Sequence, residues 1–92
     1  MGMGALEVKT AMRLRALLGH LSNLLTEDER ATISQLIDVG EPTVALECMC
    51  GAVQERRGRM SARLLQEVNE LGRGLGADES FWAQIDEDPG VR

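Results

Sequence analysis

The run Gly40-Glu41-Pro42-Thr43-Val44-Ala45-Leu46-Glu47-Cys48-Met49-Cys50 constrains this chain more than any other. It reads as a helix stop followed at once by a helix start. Gly40 accepts the left-handed backbone conformation that closes one helix. Pro42 suits the first turn of the next, where a missing N–H costs nothing. The helix that follows is apolar around most of its circumference, with Glu47, Gly51, Gln54 and Glu55 expected as a narrow polar stripe. So wide an apolar surface belongs to the central helix of a small bundle.

The remaining helices follow from periodicity and caps. Leu14, Leu17, Leu18, Leu21, Leu24 and Leu25 recur at i, i+3, i+4, i+7 and predict a first helix, starting near residue 5 or 10 and ending near 24. Thr26 and Glu29 form a capping box for a second helix over 27–39, with Ile33, Leu36 and Ile37 inward and Glu27, Asp28 and Glu29 suiting its positive end. The third helix spans 42–55. Arg56-Arg57-Gly58-Arg59 breaks the chain, and Ser61 caps a fourth helix with Leu64, Val68, Leu71 and Leu75 on one face. Gly72, Gly74 and Gly76 are expected to loosen its end between 72 and 76. A short fifth helix carries Phe81, Trp82 and Ile85, with Asp78 as its cap and Asp86-Glu87-Asp88-Pro89 ending it. The fold class predicted is all-α: a small antiparallel four-helix bundle with a short C-terminal helix, in one domain, 1–92. Residues 1–4 and 88–92 are expected to be disordered.

With 43% hydrophobic residues but one Phe, one Trp and no Tyr, the core must be aliphatic. Fifteen acidic against ten basic side chains leave a net charge of −5. That balance disfavours sequence-independent nucleic-acid binding and favours basic partners. No run approaches a membrane span, and no signal peptide is visible. Cys48 and Cys50 point to different helix faces, so they are expected to be reduced, with at least one buried, which suits the cytoplasm. Neither they nor His20 make a metal site, and no cofactor is expected.

No catalytic constellation is legible: one His, no phosphate loop, and Glu67 and Glu70 on a solvated helix face. Arg56, Arg57, Arg59 and Arg63 are the one basic cluster. Without aromatic interleaving they read better as a solvated loop than as a phosphate site. The acids gather at Glu27, Asp28 and Glu29, and at Asp78, Glu79, Asp86, Glu87 and Asp88. The last three would oppose a helix dipole, so they invite a role outside stability. Beside them Trp82 is either an interface anchor or packed on the bundle.

Residues Leu36-Ile37-Asp38-Val39-Gly40-Glu41-Pro42-Thr43-Val44-Ala45-Leu46-Glu47, with the helix around Leu64, Val68 and Leu71 and the Leu-Gly pairs after it, resemble the MafI family of bacterial immunity proteins. The resemblance spans residues 12–76, and Asp38, Glu41 and Glu47 match its motif. It implies a small helical protein that neutralises a polymorphic toxin, often an EndoU-type ribonuclease, by one-to-one binding. The toxin-binding residues expected are Asp78, Glu79, Trp82, Asp86 and Glu87, then Glu27 and Asp28, with Glu41 and Glu47 as a further polar edge. The partner expected is a basic cognate toxin, with no nucleic acid and no membrane, and the chain a monomer or weak homodimer. The alternative is a helical regulatory adaptor or dimeric module that binds nucleic acid through Arg56–Arg63.

Overall fold

A computed structural model describes residues 5–88. The chain is all-α apart from one two-residue bridge. Helix α1 (Ala5–His20) is followed by a 3-10 turn (Ser22–Leu24), then α2 (Glu27–Asp38), α3 (Pro42–Glu55), β1 (Arg59–Met60), α4 (Ala62–Leu75), α5 (Ser80–Ala83) and β2 (Asp86–Glu87). The fold expected from the sequence is the fold observed.

Helix α3 is the axis of the assembly and packs on α1, α2, α4 and α5. It buries Ala45, Leu46, Met49, Cys50, Ala52 and Val53. Around these close Leu14, Leu17, Leu21, Ile33, Ile37, Met60, Val68, Leu71, Trp82 and Ile85 in one cluster. No polar or charged residue is buried among the described residues. Such a core is held by burial alone, which is non-directional, so the caps and turns must supply the geometry.

They do so much as the local chemistry dictates. Gly40 has φ +80°, and Pro42 occupies the first turn of α3. At the start of α2 the Glu29 N–H donates to the Thr26 hydroxyl at 3.1 Å, and the Thr26 N–H donates to Glu29 Oε1 at 2.9 Å. The Ser61 hydroxyl accepts from the Leu64 N–H at 3.2 Å. Gly76, φ +75°, closes α4.

Several expectations need correction. The first helix stops at His20, not near 24. Leu21 leaves helical geometry at φ −97°, ψ 6°. In the turn after it, the Ser22 carbonyl accepts from the Leu25 N–H, and the carbonyls of Ser22 and Leu25 each accept from the Arg30 guanidinium at 3.0 Å. The turn keeps Leu21 and Leu25 inward while the chain reverses into α2.

On α3 the open edge is not the stripe expected. Val44, Cys48 and Glu55 are exposed, whereas Glu47, Gly51 and Gln54 are half-buried, Gln54 against α5, where its side-chain amide donates to the Phe81 carbonyl.

Gly72 does not loosen α4. It is buried, and a Cβ built there would lie 2.2 Å from Trp82 Cη2, so the indole sits against bare helix backbone at Gly72.

Asp86 and Glu87 do not end a helix either. Helix α5 stops at Ala83, and these residues pair in parallel with β1, Arg59 opposite Asp86 and Met60 opposite Glu87. Residues 1–4 and 89–92 lie outside the described residues. Asp88, expected to be disordered, donates its N–H to the Met60 carbonyl at 2.7 Å.

Two substitutions test this packing by chemical denaturation. Leu46→Ala should cost about 2–5 kcal/mol, as deletion of a fully buried leucine does. Gly72→Ala should destabilise by about 1–3 kcal/mol through overpacking, although alanine favours helix by about 1 kcal/mol over glycine. A stabilised Gly72→Ala variant would show that Trp82 does not lie on that backbone.

Candidate partner-binding surfaces

The acids divide by whether they already have a partner. Glu29 is saturated: Arg56 reaches its two carboxylate oxygens, each at 2.9 Å, while Oε1 also takes the Thr26 N–H. This forked pair joins the start of α2 to the end of α3, so the two helices run antiparallel. Glu67 and Glu70 receive Arg13 at 2.8 and 3.2 Å, tying α4 to α1. Asp38 pairs with Arg15 and ties the end of α2 to α1. Asp78 Oδ1 accepts from the Ser80 N–H at 2.9 Å, but the N-cap of α5 is Glu79, whose side chain makes no cap bond, so the cap expected at Asp78 falls one residue later. No ion pair engages Glu27, Asp28, Glu41, Glu47, Glu55, Glu79, Asp86 or Glu87 among the described residues.

Most of these unpaired acids share one end of the bundle. Glu27 and Asp28 are brought there by the Glu29–Arg56 pair, beside Glu55. Residues 79–87 are brought there because the Gln54 side-chain amide donates to the Phe81 carbonyl and β1, which follows α3, pairs with β2. Glu41 lies at the other end of α3, about 20 Å away at 1.5 Å per residue. Glu47 is half-buried, and its charge reinforces the upward push that burial gives the Cys50 thiol. Asp38, Glu41 and Glu47, the motif residues, are thus not gathered on the surface where the other candidates meet.

Trp82 is not an exposed anchor. It is 5% exposed, and its indole N–H donates to Asn69 Oδ1 at 3.1 Å. The basic cluster is also partly spent. Arg56 is held by Glu29 and donates to the Ala52 carbonyl at 3.2 Å, which leaves Arg57, Arg59 and Arg63 exposed.

Two of the surface grooves bear on the acids. One, about 400 Å³, lies between α2 and α3 and is lined by Asp28, Glu29, Thr32, Ile33, Cys48, Gly51, Ala52 and Glu55. Sequence reading singled out Asp28 but not its neighbour across the groove, Glu55. The adjacency of Asp28 to Glu29, and of Glu55 to Arg56, is the signal that could have found it. The other groove, about 360 Å³, lies between α1, the α2–α3 turn and the end of α4; Arg13 and Glu70, already paired, face each other across it.

Among the described residues no group of three or more His, Cys, Asp and Glu side chains is placed to hold a metal ion, and no helix is long and apolar enough to cross a membrane. Comparison with protein-family models, curated proteins and solved structures gave no match to this chain.

The thiols and carboxyls give two tests. Cys48 is exposed and Cys50 buried, neither in a disulfide. Burial pushes the Cys50 thiol up to about 12, with the Glu47 charge adding to the effect. Maleimide near neutral pH should therefore modify Cys48 rapidly and Cys50 only on unfolding. Fast modification of both would contradict the placement of α3.

The Thr26 N–H, and after it Arg56, hold the Glu29 carboxyl below its ordinary value of 4.5. Arg13 does the same for Glu67. The folded chain binds these protons less readily than the unfolded chain. Their stabilisation is therefore complete above the ordinary carboxylate range and lost as pH falls below 4.5 through the lowered folded values. Thermal melts should show Tm falling across that window, less steeply in Glu29→Gln; an identical slope would exclude Glu29 from the linkage.

Proposed function

We propose that this chain is an immunity protein, which binds a cognate bacterial toxin domain one-to-one in the cytoplasm and neutralises it. The observation that carries the reading is the gathering of unpaired acids, Glu27, Asp28, Glu55, Glu79, Asp86 and Glu87, at one end of a bundle of net charge −5. Glu27 and Asp28 suit the positive end of α2, but no ion pair among the described residues engages any of these acids, and crowding like charges works against a domain this small. A basic partner explains them. Nuclease toxins are such partners, because a surface that holds a phosphate backbone is cationic. The resemblance of residues 36–47 to the MafI family points the same way.

Complementary charge would steer encounter and reject wrong partners. Apolar surface would then hold the complex once formed, because exposed charge pairs contribute little on their own. Neutralisation needs only that the bound protein cover or distort the toxin's substrate-binding surface; no reaction is required of the chain.

Co-expression with the toxin domain encoded in the adjacent reading frame should rescue growth, and the two chains should co-purify in equal amounts. Association should slow as salt rises, through screening. Growth arrest despite expression of this chain would overturn the reading. So would a shift of RNA or DNA abolished by removing Arg57, Arg59 and Arg63.

A further inference from the structure

We propose that the groove between α2 and α3 is where the toxin docks, and that it takes a segment of the toxin bearing a Lys or Arg side chain flanked by apolar ones. The inference rests on the immunity reading and locates it on the molecule.

The groove has the two properties such a segment requires. Its floor is apolar: Ile33 and Ala52 come up from the core, with Cys48 and Gly51 beside them. Its size, about 400 Å³, is within the range of pockets that seat several side-chain groups. Its rim is acidic, and the rim charges differ in availability. Glu29 is saturated by Arg56 and Thr26. Asp28 on α2 and Glu55 on α3 face the same groove with no ion pair of their own among the described residues. A cation entering between them meets two carboxylates with no ion pair to break, while its neighbours cover the apolar floor.

Gly51 is the independent observation. A glycine inside a helix costs about 1 kcal/mol relative to alanine. Other glycines here have a reason within the chain. Gly40 and Gly76 have positive φ, Gly72 lies under Trp82, and a Cβ at Gly58 would press on Val53 and Leu24. At Gly51 a Cβ would meet nothing within 4 Å. Gly19 and Gly74 face open space too, but each sits one residue from a helix end, where α1 and α4 give way to turns. Gly51 is a full turn inside α3 and opens onto the groove. Nothing in this chain needs the missing side chain; close approach by a partner does. The second groove offers no such argument, because its charges already neutralise each other.

The test uses the full chain and a catalytically inactive form of the adjacent-frame toxin domain, with affinity measured by calorimetry and Tm measured alongside. Gly51→Leu places a good helix former over the apolar floor, so Tm should rise while affinity falls at least about tenfold, the loss expected when an interface core is blocked. Asp28→Lys with Glu55→Lys, both on the surface, should leave the helical spectrum intact and lower affinity by a similar factor, mainly through slower association. Asp86→Lys with Glu87→Lys is the comparison and should have the smaller effect. Wild-type affinity in folded Gly51→Leu, or in the Asp28/Glu55 reversal should Gly51→Leu not fold, would overturn the docking site and leave the immunity reading standing. A wild-type chain that does not bind the toxin would overturn both.

Discussion

Leu46, Met49, Cys50 and Val53 are shut off from solvent on a helix that has neighbours on almost every side. The rest of the structure answers to that burial. A helix this apolar cannot lie on a surface, so α1, α2, α4 and α5 must each present a nonpolar face to it. Among the described residues no polar one is buried to fix the register. Register comes instead from the ends of the elements: the Gly40–Pro42 reversal, the Thr26–Glu29 box, the Ser61 cap and the forked Glu29–Arg56 pair. Charge pairs at the periphery, Arg13 with Glu67 and Glu70 and Arg15 with Asp38, join α1 to its neighbours but stand in water, where each contributes little.

Features carried by short-range chemistry were legible in the sequence. Helices α2 and α3 and the cap of α4 lie where turn residues and apolar spacing put them, because the causes sit within four residues of the effect. What was not legible depends on residues far apart in the chain. The leucine repeat ran unbroken through Leu21, yet α1 stops at His20, and the turn that follows is held by Arg30 of the next helix through the Ser22 and Leu25 carbonyls. Gly72 looked like a helix breaker because its reason, the Trp82 ring, comes from another element. Asp86 and Glu87 looked like helix-ending acids because two residues of parallel pairing with Arg59 and Met60 leave no periodic trace.

The candidate surface divides along the same line. That the chain carries surplus acid is a matter of counting. Which acids are spent is a matter of pairing across elements: Glu29, Glu67, Glu70 and Asp38 are engaged, while Asp28 and Glu55 are not. Trp82, attractive as an interface anchor in the sequence, is consumed by the core. The groove between α2 and α3 has small α3 residues, Cys48, Gly51 and Ala52, along its floor, with Glu55 at its end. One helix thus supplies both the centre of the fold and the floor of the proposed docking site.

Two cysteines on that helix, about 200° apart around its axis, report on both at once. Maleimide labelling of the chain, free and saturated with the inactive adjacent-frame toxin domain, tests the account most directly. Cys48 should label quickly in the free chain and be protected in the complex, with Cys50 slow in both. Cys48 labelling at an unchanged rate in the saturated complex would contradict docking on α3.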